Sequence, residues 1–269
     1  NTPWNLIQIG DPNSANIPRS NIQIINNELF NFGESAIQIR QNNSGQGIGN
    51  GFTISGNKVY EAINTQTYQY PIWLEGGTNS HSHIISNNLI GGNAAPSPNI
   101  TGTWLNSKAD GEVQAIYVLV GGSNASEATS IQGNKIKNIN ISGTGWTNFV
   151  GIRVEEGRVK IGDVVGNVIG SEDNTPDNII SNGSGGAFLT EDAAVMGIWT
   201  QTSSETIIEN NLISGLSTGL GLYCFLDGIA HGSNLYFNGL QYNNQGGRAV
   251  IRNNQIKNNR SSSNLQNST

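Results

Sequence analysis

Seven times along the chain, apolar residues bracket a short polar pair: IINNEL from Ile24, ISGNKV from Ile54, ISNNLI from Ile85, IQGNKI from Ile131, VVGNVI from Val164, IENNLI from Ile208 and IRNNQI from Ile251. Each phrase reads as a strand, a two-residue corner and a second strand, with its apolar ends facing one side. A second block alternates apolar and variable positions: LIQIG at 6–10, AIQIR at 36–40, PIWLE at 71–75, AIYVL at 115–119, GIRVE at 151–155, GIWTQ at 197–201 and GLYCF at 221–225. Strict alternation is the period of a strand with one face buried. The second polar residue of each phrase, Asn27, Asn57, Asn88, Asn134, Asn167, Asn211 and Asn254, recurs at intervals of 30, 31, 46, 33, 44 and 43 residues. A repeat of short strands too small to enclose its own core must stack on its neighbours, so the pattern predicts an all-β solenoid of about seven coils. The Gly/Asn pairs supply corners where left-handed backbone costs least, and stacked asparagine amides can bond from coil to coil.

The phrases GIRVEEGRVKIGDVVGNVIGS and GIWTQTSSETIIENNLISG resemble the right-handed parallel β-helix superfamily of pectate lyases and related proteins. More closely, the chain is similar to the Asn-rich β-helix repeats of large secreted or surface proteins of Bacteroidetes-type bacteria. The resemblance spans roughly residues 5–258 and implies a right-handed parallel β-helix. It specifies activity poorly, because one fold hosts many functions. Residues 1–258 are expected to form one domain, and the Ser/Asn-rich residues 259–269 a polar tail or linker.

Composition agrees with many turns: 40 Asn and 35 Gly stand in 269 residues, and only 12% are charged. A net charge of −6, without a basic patch, argues against nucleic acid. One cysteine, Cys224, excludes a disulfide framework within the chain. No segment reads as a transmembrane helix, and no cofactor or metal is expected. Asn-rich, low-charge surfaces suit an extracellular or cell-surface setting. Strand edges without an amphipathic cap at either terminus suggest a module that stacks on other modules of a longer chain or on copies of itself.

Three insertions, at about 92–112, 170–194 and 226–247, are expected to flank one face of the solenoid. In the alternating block the outward residues read Gln8, Gln38, Trp73, Tyr117, Arg153, Trp199 and Tyr223, with Arg40, Glu75, Leu119, Glu155, Gln201 and Phe225 two positions on. Rings repeated about 4.8 Å apart on a strand face suit a sugar polymer, with Glu75, Glu155 and Arg153 taking hydroxyls. The alternative arrangement lays the insertions over the stripe and makes it a satellite core. Glu75 and Glu155, two coils and roughly 10 Å apart, also suggest a glycoside hydrolase or polysaccharide lyase with Arg153 beside them. An inverting pair needs about 6.5–9.5 Å. AHG at 230–232 and NTPD at 174–177 are chance matches to hydrolase signatures. His81 and His83 are expected to alternate onto one exposed strand face.

Overall fold

The computed structural model describes residues 2–10, 19–41, 48–61, 66–77, 79–92, 104–172, 179–181, 192–218, 223–232, 235–237, 240–242 and 246–261. It is an all-β protein whose parallel strands lie in four stacked sheets, an arrangement consistent with a β-solenoid. The first sheet runs through Asn5–Ile9, Ser35–Arg40, Ile72–Glu75, Glu112–Leu119, Thr147–Glu156, Asp192–Thr200 and Tyr223–His231. The second runs from Gln23–Ile25 through five strands to Ala249–Arg252, and the third from Glu28–Phe30 to Gln255–Lys257. Every successive strand of these sheets is the next turn of the chain.

The asparagine phrase is the corner between the second and third sheets, and its two polar positions divide the work. The first takes the left-handed conformation: Asn26, Gly56, Asn87, Gly133, Asn210 and Asn253 have φ between 56° and 68°. The second turns its side chain inward and builds a continuous ladder. Asn27 Nδ2 donates to Asn57 Oδ1 at 2.9 Å, and the bond repeats from Asn57 to Asn88, Asn134, Asn167, Asn211 and Asn254. Each backbone N–H also donates to the Oδ1 of the next coil at 3.0–3.1 Å. From Asn57 onward, each amide reaches back to an isoleucine carbonyl one coil earlier, as Asn134 does to Ile85 at 2.9 Å. This is how a dry core accepts a row of amides: donors and acceptors are matched by the repeat itself.

The fifth corner departs from the expected reading. Its core strand is Val159–Ile161, while Val164 is 75% exposed and Val165 is 53% exposed. Gly162, at φ 87°, turns the chain outward, and the extra residues form a protruding turn before Asn167 rejoins the ladder.

A fourth sheet explains part of the expected insertions. Trp104–Asn106, Ile139–Ile141, Ile179–Ser181, Leu216–Thr218 and Arg260–Ser261 pair in that order, so longer coils carry an additional strand. Residues 192–194 and 226–231, expected in insertions, are strands of the first sheet. Within the third insertion, Leu235–Phe237 and Leu240–Tyr242 form an antiparallel hairpin. Asn259 accepts from the Leu216 N–H at 3.0 Å, so the coil continues beyond 258 into the expected tail.

The first sheet bends midway along its long strands. Ala115 and Ile116 are consecutive inward residues, as are Gly151 and Ile152, and Gly197 and Ile198. Glycine is required there: a Cβ on Gly197 would lie 2.6 Å from the Gly228 carbonyl oxygen and 2.7 Å from Ile213. Gly197→Ala is therefore expected to lower unfolding free energy by about 2 kcal/mol through overpacking. A denaturation midpoint unchanged from wild type would contradict the close approach.

Candidate functional site

The outward row of the first sheet is continuous through six of its seven expected members. Gln8 pairs Gln38, then Trp73, Tyr117, Arg153 and Trp199 follow in register. The seventh position is Ala230, because Trp199 pairs Ala230 while Tyr223 lies opposite Asp192, seven residues upstream. Tyr223 therefore does not belong to the stripe, and neither does Phe225, which pairs Ala194. His231, expected in a loop, ends this strand and bonds Thr200 Oγ1 at 2.7 Å.

Most of this row is covered. Trp199 is fully buried, in a satellite cluster with Val150, Ala194, Met196 and Ala230 outside the main core. Arg153 is 6% exposed, and its guanidinium lies 4.6 Å from the Trp199 ring and 5.5 Å from the Tyr117 ring. Sandwiching a delocalised cation between two rings compensates its loss of water. Arg153 also donates to Glu155 at 3.1 Å, Gln201 at 3.3 Å and Gln114 at 3.4 Å. Trp199 and Arg153 thus form a packed wall, whereas a stacking surface for a ligand needs an open ring face.

In the N-terminal half of the row Gln38 is buried too, but Gln8 is exposed. Trp73 is half-buried, with the Arg40 guanidinium 4.7 Å from its ring and Tyr70 and Tyr117 rings 4.7 Å and 5.8 Å away. Arg40 Nε donates to Glu75 at 2.9 Å. Burial raises the Glu75 carboxyl above its ordinary range, Arg40 pulls it back, and the charge of Glu155 pushes it up again. Tyr117 is almost buried and its hydroxyl donates to Glu155 at 2.7 Å; burial first, then the Glu155 charge, hold its phenol far above the usual range. Glu155 stands at a β-bulge: Leu119 pairs Glu156, so Glu155 is the additional residue and its side chain remains 40% exposed. The bulge explains how Glu155 reaches both Tyr117 and Arg153.

Sequence reasoning missed a second outward row. Gln114, Val150, Met196 and Asp227 follow one another in register, with Tyr70 one coil before Gln114. Tyr70 donates to the buried Glu112 at 3.2 Å, and burial raises the Asp227 carboxyl. Simple alternation from Ile116 assigns Gln114 inward, but the two consecutive inward residues at the bend reverse it. The glycines of the GI pairs were the available signal.

His83 corrects another expectation. Ser82, at φ 59°, interrupts the alternation, so His81 is half-buried while His83 is 1% exposed and stacks on Phe52 with ring centroids 5.4 Å apart. Its Nδ1 accepts from the Phe52 N–H at 3.2 Å, and its Nε2 lies 2.9 Å from Ser80 Oγ, which donates to the Gly49 carbonyl. That chain sets a neutral ring with the proton on Nε2, and burial pushes its pKa down to about 4. The NTPD match at 174–177 lies outside the described residues; just before it, Glu172 pairs Lys135 at 2.7 Å. Among the described residues no three His, Cys, Asp or Glu side chains converge as a metal site.

The fold and the outward row define a class: an all-β repeat protein with parallel strands in stacked sheets and a polar-aromatic face on the first sheet. Compared with known proteins, the chain matches no family model, and neither a curated protein nor a solved structure is significantly similar to it.

Proposed function

We propose that this chain is a secreted or cell-surface right-handed parallel β-helix module of about seven coils, with a structural and adhesive role and a polysaccharide contact centred on Trp73. The observation that carries the contact is the half-buried Trp73 framed by Arg40, Tyr70 and Glu75. An indole ring takes the apolar face of a sugar while flanking charged groups take hydroxyls. Asparagine-rich, weakly charged composition supports the extracellular setting, and the asparagine ladder supports a rigid, load-resistant role.

Trp73→Ala is expected to weaken polysaccharide binding at least tenfold on an immobilised glycan panel while the thermal transition stays cooperative. Equal binding by wild type and Trp73→Ala would remove the Trp73 contact. Trp199→Ala is unsuitable for this purpose, since truncating a fully buried tryptophan costs about 3–5 kcal/mol of stability.

One observation favours a second reading, a glycoside hydrolase or polysaccharide lyase on the same face: Glu75 is raised while Glu155 is held by Tyr117 and Arg153. Differing environments are how two carboxyls are assigned acid and base roles. The Arg40 ion pair works against Glu75 as the acid. Oligosaccharide release that disappears in Glu75→Gln would establish this reading over adhesion.

A further inference from the structure

Charge is shared unevenly around Trp73, and the sharing bears on which sugars the face accepts. The chain has 13 lysines and arginines, and every one is among the described residues. Only Arg40 and Arg153 stand on strands of the first sheet. The same strands carry Glu75, Glu112, Glu155, Glu156, Asp192 and Asp227.

Both arginines are already engaged. Arg153 has 7% of its side chain exposed, and it donates to Glu155, Gln201 and Gln114 from between two rings. Arg40 is more open, with 32% of its side chain exposed, but its Nε donates to Glu75 Oε2 at 2.9 Å. Strand register makes this pair: Arg40 lies opposite Glu75 on the adjacent strand, two residues beyond the pairing of Gln38 with Trp73. The surroundings add negative charge. Glu155 keeps 40% of its side chain exposed, and its charge reaches Glu75.

The insertions bring no free cation to Trp73. Residues 170–194 and 226–247 contain no lysine or arginine, and residues 92–112 contain only Lys108. Lys108 precedes Glu112, and from Glu112 to Tyr117, which is level with Trp73, the strand runs about 16 Å. That is farther than a lysine side chain reaches.

Sugar hydroxyls suit such a face. They donate to carboxylates such as Glu75 and Glu155, and they accept from the guanidinium N–H groups of Arg40 that Glu75 leaves over. A uronate carboxylate only accepts, so it must displace Glu75 from Arg40 and then lie beside like charge.

We propose that the Trp73 contact takes an uncharged polysaccharide and rejects a polyuronate, and that Glu75 sets this choice by occupying the one open guanidinium of the first sheet. The inference rests on the Trp73 contact proposed above and adds to it the class of polymer and the residue that selects it.

Two matched pairs of probes differ only in charge: a β-1,4-glucan and the same polymer with its primary alcohols oxidised to carboxylates, and polygalacturonate and its carboxyl-reduced form. Wild type is expected to bind the uncharged member of a pair about tenfold more tightly, with little change between low and high salt. Glu75→Gln, which keeps the side chain's shape, is expected to gain about tenfold toward the carboxylate member by releasing Arg40. Arg40→Gln combined with Glu75→Gln is expected to lose that gain, which a merely structural role for Glu75 would not produce. Tighter wild-type binding of a carboxylate member, abolished by Trp73→Ala, would overturn the inference and leave the Trp73 contact standing. A Glu75→Gln variant without the gain would overturn it as well. Binding of none of the four probes would also overturn it, while the Trp73 contact is decided separately on the wider glycan panel.

Discussion

Asn134→Ala is expected to lower unfolding free energy by about 4 kcal/mol, while Asn27→Ala lowers it by about 1 kcal/mol or less. Asn134 is fully buried, and its Oδ1 accepts from both the backbone and the side chain of Asn88 at 3.1 Å and 2.9 Å. Its Nδ2 donates to Asn167 and to the Ile85 carbonyl. Alanine leaves two donors and a carbonyl unsatisfied where water has no access, each costing about 1–3 kcal/mol. Asn27 is half-buried, and nothing donates to its Oδ1 among the described residues, so solvent can replace its bonds. Urea denaturation with the m-value held as a check separates the two variants. Equal losses at the two positions would show that the ladder contributes no more in the interior than at its end.

The second large effect is an acid limb in stability assigned to His83. Its pKa is about 4 in the folded chain against 6.5 unfolded, because burial and its acceptor role toward the Phe52 N–H oppose protonation. Stability is therefore fully present above pH 6.5 and is lost as pH falls toward 4, since only the unfolded chain binds the proton across that window. The loss amounts to about 3 kcal/mol. Glu75 and Asp227, whose carboxyls burial raises, act in the opposite direction below neutrality, so the comparison must be with a variant. His83→Gln is expected to start less stable at pH 7.5 and to lose less between pH 6.5 and 4. Parallel pH curves for the two proteins would remove His83 from the acid response.

Both effects belong to positions the sequence marked in different degrees. The ladder asparagines were legible because all seven copies share a register, and the period is a property of the chain alone. What each corner residue does was less legible, since Asn and Gly suit left-handed backbone equally and only the stacked structure separates the turning residue from the bonding one. For His83, the alternation that seemed to expose it is broken by one backbone angle at Ser82.

The outward row shows where a periodic reading stops. From Gln8 to Trp199 the alternation assigned the row correctly, because in each strand an isoleucine in register immediately precedes the outward residue. In the last coil two Gly-apolar pairs compete, Gly221-Leu222 and Gly228-Ile229. The nearer one fails because residues 216–218 already form a strand of the fourth sheet, leaving too little chain for the upstream half of the long strand. That competition is for space between sheets. It displaces Tyr223 from the row and puts Ala230 there.

By itself the sequence determined the repeat, the parallel stacking it requires, the corner asparagines and the inward columns, because these depend on local period and backbone preference. The tertiary structure alone decided which outward side chains are surface and which are core. Burial depends on what neighbouring coils and other segments place over a side chain, and no spacing along one strand encodes that. Trp73 and Trp199 share one position in the repeat; packing left the first half open and enclosed the second with Met196 and Val150.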